Sequence, residues 1–528
     1  MSQFFKRRRN KPVGQTWLEV PVADLQGEPI RSDLLQNETI LKQVFHNCSD
    51  VVFRPLHIHG QIKALLVFVD GLVDMKHLDE VVLKPMMFEG LPQGLGHLER
   101  MGKILEHQVV AVAQTQTVDR LSDVVQSILK GDIAILADGE NSALIASIKT
   151  WEKRSIEEPP AESVIRGPRE GFTENIRTNT SLLRRRLRTA RLKLEALSLG
   201  ELSKTDVIIA YIEGIAADSI VREVRKRVGR IRIDGVLESG YIEELIEDLP
   251  FSPFPQVLHT ERPDVVAANL LEGKVAILVD TTPFVLIVPT FFWEALNANE
   301  DYYERFLIAA AIRWVRYIFL FVAMLFPSLY VAITTFHQEM LPTNLLLTIA
   351  ASREPSPFPA FVEALIMEIT FEALREAGLR LPRQVGQAIS IVGALVIGQA
   401  AVQAGIVSAP MVIIVSITGI ASFTMPRYNF AIAIRILRFP LIFLAGTLGL
   451  YGVTIGVLAI LIHLTSLRSF GVPYFAPVAP LTVRNLKDVG VRAPWWRMNR
   501  RPSMTVFHNQ MRVPRGQKPG PKRGKRTE

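Results

Sequence analysis

The residues that make the strongest chemical demands are charges set in apolar surroundings. Glu363, Glu368, Glu372, Arg375 and Glu376 fall inside the apolar run 359–377, and Arg435 and Arg438 sit one turn apart inside the apolar run 430–449. At about 100° per residue, Glu368, Glu372, Arg375 and Glu376 share one arc of a helix roughly 100° wide, and Glu363 lies apart. An ionisable group in hydrocarbon is expensive unless it is paired or reaches water, so such groups mark function when they occur. Two readings of 359–377 stand side by side: a surface amphipathic helix, or a crossing whose acids face a cavity or a partner. Arg435 and Arg438 correspondingly either snorkel to the cytoplasmic face or pair with those glutamates.

A second pattern lies in 385–405. Gly386, Ala388, Gly393, Ala394, Gly398, Ala400, Ala401, Ala404 and Gly405 make this segment rich in small residues. Val392, Val396, Gln399 and Gln403 recur at helical spacing on one face. Small residues let helices approach closely, which is one reason to have them. A ring of such helices would also enclose a narrow passage, apolar at the valines and lined by amides beyond, the kind that gates by dewetting. The spacing leaves packing seam and pore lining both open.

Other chemistry is scarce. No phosphate-binding glycine loop, HExxH or CxxC is present, and no paired catalytic constellation appears, so an enzyme is not expected. His57 and His59 share one face of a strand without a nearby third ligand, so neither a metal nor a cofactor is expected. Cys48 is the single cysteine, which excludes an internal disulfide.

The elements that must hold these residues divide sharply. The chain has 528 residues, 48% hydrophobic and 21% charged, with formal net charge +8. Between Glu376 and Asp488 there is no acidic residue, and basic ones are sparse, which no soluble surface tolerates. The expected spans are 314–333, 359–377, 385–405, 409–425, 430–449 and 451–466, five to six helices in all, with 342–351 re-entrant or interfacial. Arg313, Arg316, Arg383, Arg427 and Arg468 mark cytoplasmic ends, and parity requires 359–377 to cross. Both termini are basic and therefore expected in the cytoplasm, with anionic lipid as the natural partner of the tail. Trp495 and Trp496 suit an interfacial belt better than base stacking, so no nucleic acid is expected.

Before about Asp280 the composition is ordinary, and helix and strand patterns alternate. Ile128 to Asp138 reads ILKGDIAILAD, and Leu270 to Asp280 reads LLEGKVAILVD, with Gly131 and Gly273 142 residues apart. Val69-Asp70-Gly71 likewise faces Ile212-Glu213-Gly214. The fold class expected is an α/β soluble region of two duplicated modules, followed by an all-α polytopic membrane domain. The boundaries expected are a basic flexible segment 1–32, a first module 33–158, a linker and strongly basic helix 159–204, a second module 205–290, a membrane domain 291–480 and a basic cytoplasmic tail 481–528. The basic helix is read over 182–201, from Arg184, Arg185, Arg186, Arg188, Arg191 and Lys193.

Asp234 to Asp248 (DGVLESGYIEELIED), Ser252 to Gln256 (SPFPQ) and Thr260 to Asp264 (TERPD) resemble the A subunits of spore germination receptors, the GerA family. Gly273 to Asp280 fits too, as do Pro355 to Pro359 (PSPFP) and Arg380-Leu381-Pro382 in the membrane half. The resemblance runs from about Asp50 to Arg497. It implies a multi-pass protein of the inner membrane of the bacterial spore. It also implies two partners, a B-type multispanning subunit that binds nutrient and a C-type lipoprotein subunit. The assembly would sense amino acids or sugars and trigger ion release, with the A subunit as an oligomeric channel. A secondary transporter is the competing class, though transporters usually carry inverted membrane repeats and here the repeat is soluble. A non-conducting scaffold or signalling subunit is another.

Overall fold

The computed structural model describes residues 28–58, 62–84, 86, 115–148, 159, 162, 164–380, 398–506, 509–514 and 516–520. The first module comprises α1 (Leu34–Val44), β1 (Val51–Ile58), β2 (Ile62–Val69), α2 (Met75–Leu78), β3 (Thr115–Val118), α3 (Leu121–Leu129), β4 (Ile133–Ala137) and β5 (Ala143–Ala146). Its strands form one antiparallel sheet in the order β1-β2-β4-β5-β3. The second comprises α4 (Ile176–Arg186), β6 (Leu192–Leu199), β7 (Thr205–Ile212), α5 (Asp218–Gly229), α6 (Ser239–Ile246), β8 (Leu258–Thr260), α7 (Pro263–Leu271), β9 (Val275–Val279) and β10 (Val285–Val288). Its sheet runs β6-β7-β9-β10-β8, again antiparallel. The two topologies are the same. The apolar runs at β4 and β9 are continuous rather than alternating because both faces of each sheet are covered. Ala134 and Leu136 pack with α1 and α3, while Ile133, Ile135 and Ala137 pack with α2.

The duplication extends to single hydrogen bonds. Asp138 Oδ1 accepts from the backbone N of Leu34 at 3.3 Å, and Asp280 Oδ1 accepts from that of Ile176 at 3.0 Å. Asn37 and Asn179, both buried, each donate to a backbone carbonyl six residues earlier at 2.6 Å. Each acidic turn thus satisfies a free N–H at the start of a helix, one of the donors a helix cannot satisfy itself.

The basic run 182–201 is not one helix. α4 stops at Arg186, and Leu192–Leu199 is a strand at the edge of the second sheet. Arg184 is fully buried rather than solvated, and Leu192 and Leu194 enter the core. The second sheet therefore starts inside the segment expected as a linker. At the other end, Ile30 joins the first core. The modules are stitched where Ser49 N donates to Leu194 O at 3.0 Å and Leu194 N donates to Asn47 O at 2.9 Å.

The helical part follows: α8 (Phe306–Phe336), α9 (Thr343–Arg353), α10 (Ala360–Arg380), α11 (Gly398–Gln403), α12 (Ala409–Phe423) and α13 (Tyr428–Ser466). Among the described residues, α8 and α13 are long and apolar enough to cross a membrane by length and composition, and α12 is a shorter apolar helix. α13 has 39 residues and, if straight, would run about 58 Å. Instead Phe254 of the second module touches both Phe430 and His463, at 6.2 and 6.1 Å between ring centroids. The helix is a hairpin that reverses at Gly449, whose φ of +62° is non-helical. A Cβ at Gly456 would lie 2.5 Å from Leu441 on the opposite arm. After the hairpin the chain returns to the second module. Phe470 and Val506 enter its cores, so the basic tail is packed as far as that point.

Candidate functional site

α10 presents its charges to α13 and to the turn before α12. Arg438 Nη1 donates to Glu368 Oε2 at 2.5 Å, and Arg435 Nε lies 3.3 Å from Glu372 Oε2. Arg375 stands over the rings of Phe423 and Tyr428, at 5.1 and 5.5 Å from the centroids, and Arg435 stands 5.9 Å from that of Tyr428. Glu363 has its own partners. Its Oε2 accepts from Ser408 N at 3.1 Å and Ser408 Oγ at 2.6 Å, with Arg353 3.6 Å from Oε1. Glu363, Glu368, Arg435 and Arg438 are at most 5% exposed. Burying charge costs free energy that only pairing offsets, so the Glu368 and Glu372 pairs lock α10 to the first arm of the hairpin, while Glu363 ties it to α9 and to the turn before α12. The arc predicted from helical spacing brings Glu368, Glu372 and Arg375 together; Glu376 is exposed and pairs with Arg380 at 2.6 Å.

Gln399 and Gln403 lie on α11 and are exposed. Gly398, the one buried residue of α11, meets α12, where a Cβ on it would stand 3.5 Å from Val412. Val392 and Val396 lie outside the described residues.

A second charged cluster joins the base of the helices to the α/β region, and sequence reasoning missed it. Arg313 donates to Asp488 Oδ1 at 3.0 Å and to Asp301 Oδ2 at 3.3 Å, and Arg316 donates to Asp301 Oδ2 at 2.7 Å. Arg313 and Arg316 read in the sequence as topology markers. Their partners come from a 3₁₀ turn just before α8 and from the tail, so no local spacing links them. Burial pushes the Asp488 carboxyl up, while Arg313 opposes that shift. Beside it, Arg427 at the start of α13 pairs with Glu162, which also accepts from Thr260 Oγ1 at 2.5 Å. Phe254, Phe292, Phe430 and Tyr474 pack together there. Ser252 Oγ lies 2.8 Å from His463 Nε2 at the far end of the second arm. Both arms of the hairpin are therefore fastened to the second module. Among the described residues no group of His, Cys, Asp and Glu could hold a metal.

The family described as Bacillus/Clostridium GerA spore germination protein matches residues 39–504. "Uncharacterized membrane protein YfkQ" of Bacillus subtilis is 51% identical over 91% of this chain and 92% of its own length. "Spore germination protein KA" of the same organism is 46% identical over 93% of this chain and 90% of its own. A crystal structure of the N-terminal domain of the A subunit of the Bacillus megaterium spore germinant receptor GerK3 matches 50% of this chain and 98% of its own, at 34% identity and a TM-score of 0.37. With a match from residue 39 to residue 504 and relatives of this identity over nine-tenths of its length, the chain belongs to the GerA family of spore germination proteins.

Proposed function

We propose that this chain is the A-type membrane subunit of a nutrient-responsive spore germination receptor, and that copies of it assemble around an ion path which nutrient opens. The observation that carries the conducting part is the exposure of Gln399 and Gln403 on α11, in a stretch with no acidic residue on either side. An amide left to face hydrocarbon is costly, so this face needs water or another copy against it. By helical spacing in the sequence, Val392 and Val396 fall on the same face, and they are the proposed apolar gate. Gly398, the one buried residue of α11, packs on α12, while Gln399 and Gln403 are left exposed.

The reading takes six crossings: α8, α10, the 385–405 segment, α12 and the two arms of α13. Both termini then lie in the cytoplasm, and the protein sits in the inner membrane of the spore. A B-type multispanning subunit supplies nutrient binding, and a C-type lipoprotein subunit completes the receptor. The second module, fastened to both arms of the hairpin, is the part through which partners move the helices. No catalysis is involved.

The test is cysteine substitution at Gln399 and Gln403 in a Cys48→Ala background. Burial pushes the Cys48 thiol up, so the native cysteine is a quiet background in any case. The expected result is labelling by a water-soluble maleimide and, on oxidation, disulfide-linked oligomers. Cysteines that neither label nor cross-link in membranes would overturn the assembly.

A further inference from the structure

We propose that Arg375, Arg435 and Arg438 form a binding site for an oxyanion inside the membrane region, seated on the free edge of the Arg438 guanidinium. The first ground is charge. Three guanidiniums meet two carboxylates, Glu368 and Glu372, while Glu376 is exposed with Arg380 and Glu363 is engaged by Ser408 and Arg353. One positive charge is left over where water is scarce, and low dielectric makes an uncompensated charge costly. Tyr428 attracts both Arg375 and Arg435, but a ring face supplies only part of what a counter-ion would.

The second ground is unused donors. Arg438 is 1% exposed and spends Nη1 on Glu368, and its Nε and Nη2 have no hydrogen-bond partner. Arg435 is 5% exposed with Nη1 also unpaired, as is Nη1 of Arg375. The Nε and Nη2 donors of a guanidinium form a planar fork matched to two oxygens of one carboxylate or phosphate, which favours an oxyanion over a spherical halide. Glu372, 44% exposed, marks the open side by which the anion enters. The chemistry suits a free oxyanion from solution and the phosphate of a lipid headgroup alike. The site stands whether or not α11 lines a conduction path.

The experiment follows thermal unfolding of the full chain, delipidated in dodecyl maltoside. One arm titrates inorganic phosphate against sodium chloride at matched ionic strength; the other titrates short-chain phosphatidylglycerol. The expected result is a saturable rise in Tm that grows with the logarithm of ligand concentration. A response to inorganic phosphate assigns a solution anion, and a response to the lipid alone assigns a headgroup; either supports the site. Glu368→Gln removes a competing negative charge but keeps an acceptor for Nη1, so it should lower the half-saturating concentration several-fold. The double variant Arg438→Met/Glu368→Met removes the fork without stranding a buried charge and should abolish the response. No response to either probe overturns the proposal. So does a response that survives in the folded double variant, or stabilisation that tracks protein concentration alone, which would mean that a second copy supplies the carboxylate.

Discussion

Arg184 donates from Nε and Nη2 to the two carboxylate oxygens of Asp50, at 2.7 and 2.9 Å, and neither side chain is exposed. The bond crosses from the second module to the first. Removing one partner of a fully buried pair strands the other and costs about 3–5 kcal/mol, whereas replacing both with apolar groups costs much less. Arg184→Met should therefore destabilise the two α/β modules strongly, and Arg184→Met/Asp50→Leu should recover most of the loss. Calorimetry of the purified variants checks this. A single substitution that leaves the transition in place would show that the modules are held by other contacts.

Burial pushes the Glu243 carboxyl in α6 up to about 7, with Glu247 and Glu238 adding to the effect. The folded state then holds a proton that the unfolded chain, with an ordinary carboxylate, has already released. That stabilisation is complete below about pH 4.5 and is lost as pH rises towards 7. Glu243→Gln should flatten stability over this window and raise it at pH 8, by on the order of 1–3 kcal/mol. Denaturant midpoints of both proteins at pH 5 and pH 8 measure the difference. Equal slopes with pH would place the titrating group elsewhere.

Gly449 turns the hairpin at φ +62°, where a Cβ would stand 2.8 Å from His337 Cε1 and 3.0 Å from Phe336 Cβ. A side chain there meets both backbone strain and a clash, so Gly449→Ala should cost at least about 1–3 kcal/mol. Protease protection of the 428–466 segment in membranes should fall in that variant. Unchanged protection would mean that the two arms do not depend on this turn.

The repeat was legible because strands buried on both faces keep their apolar strings, and because Asp138 and Asp280 occupy turns that cap helix starts. α4 and β6 were not, although their counterparts α1 and β1 lie at nearly the same offset. Arg184, Arg185 and Arg186 read as a solvated basic helix, and only the fold reveals that Arg184 points inward to a carboxylate 134 positions away. A projection of the first module onto the second would have found the strand at Leu192. In the helical half, the arc of Glu368, Glu372 and Arg375 follows from spacing alone. Which partners meet it depends on the reversal at Gly449 and on where the hairpin docks, and no local pattern carries that. The split of 430–449 from 451–466 was readable, since Gly449 and Gly452 interrupt a run otherwise suited to one long helix.

Whether this chain conducts ions in response to nutrient is measured by ion efflux from liposomes holding it together with the proposed B-type and C-type subunits. The expected result is efflux on addition of nutrient, and a nutrient-independent leak from Val396→Ser, which would wet the proposed constriction. An assembled receptor that stays ion-tight with nutrient present, in both the wild-type and Val396→Ser forms, would contradict it.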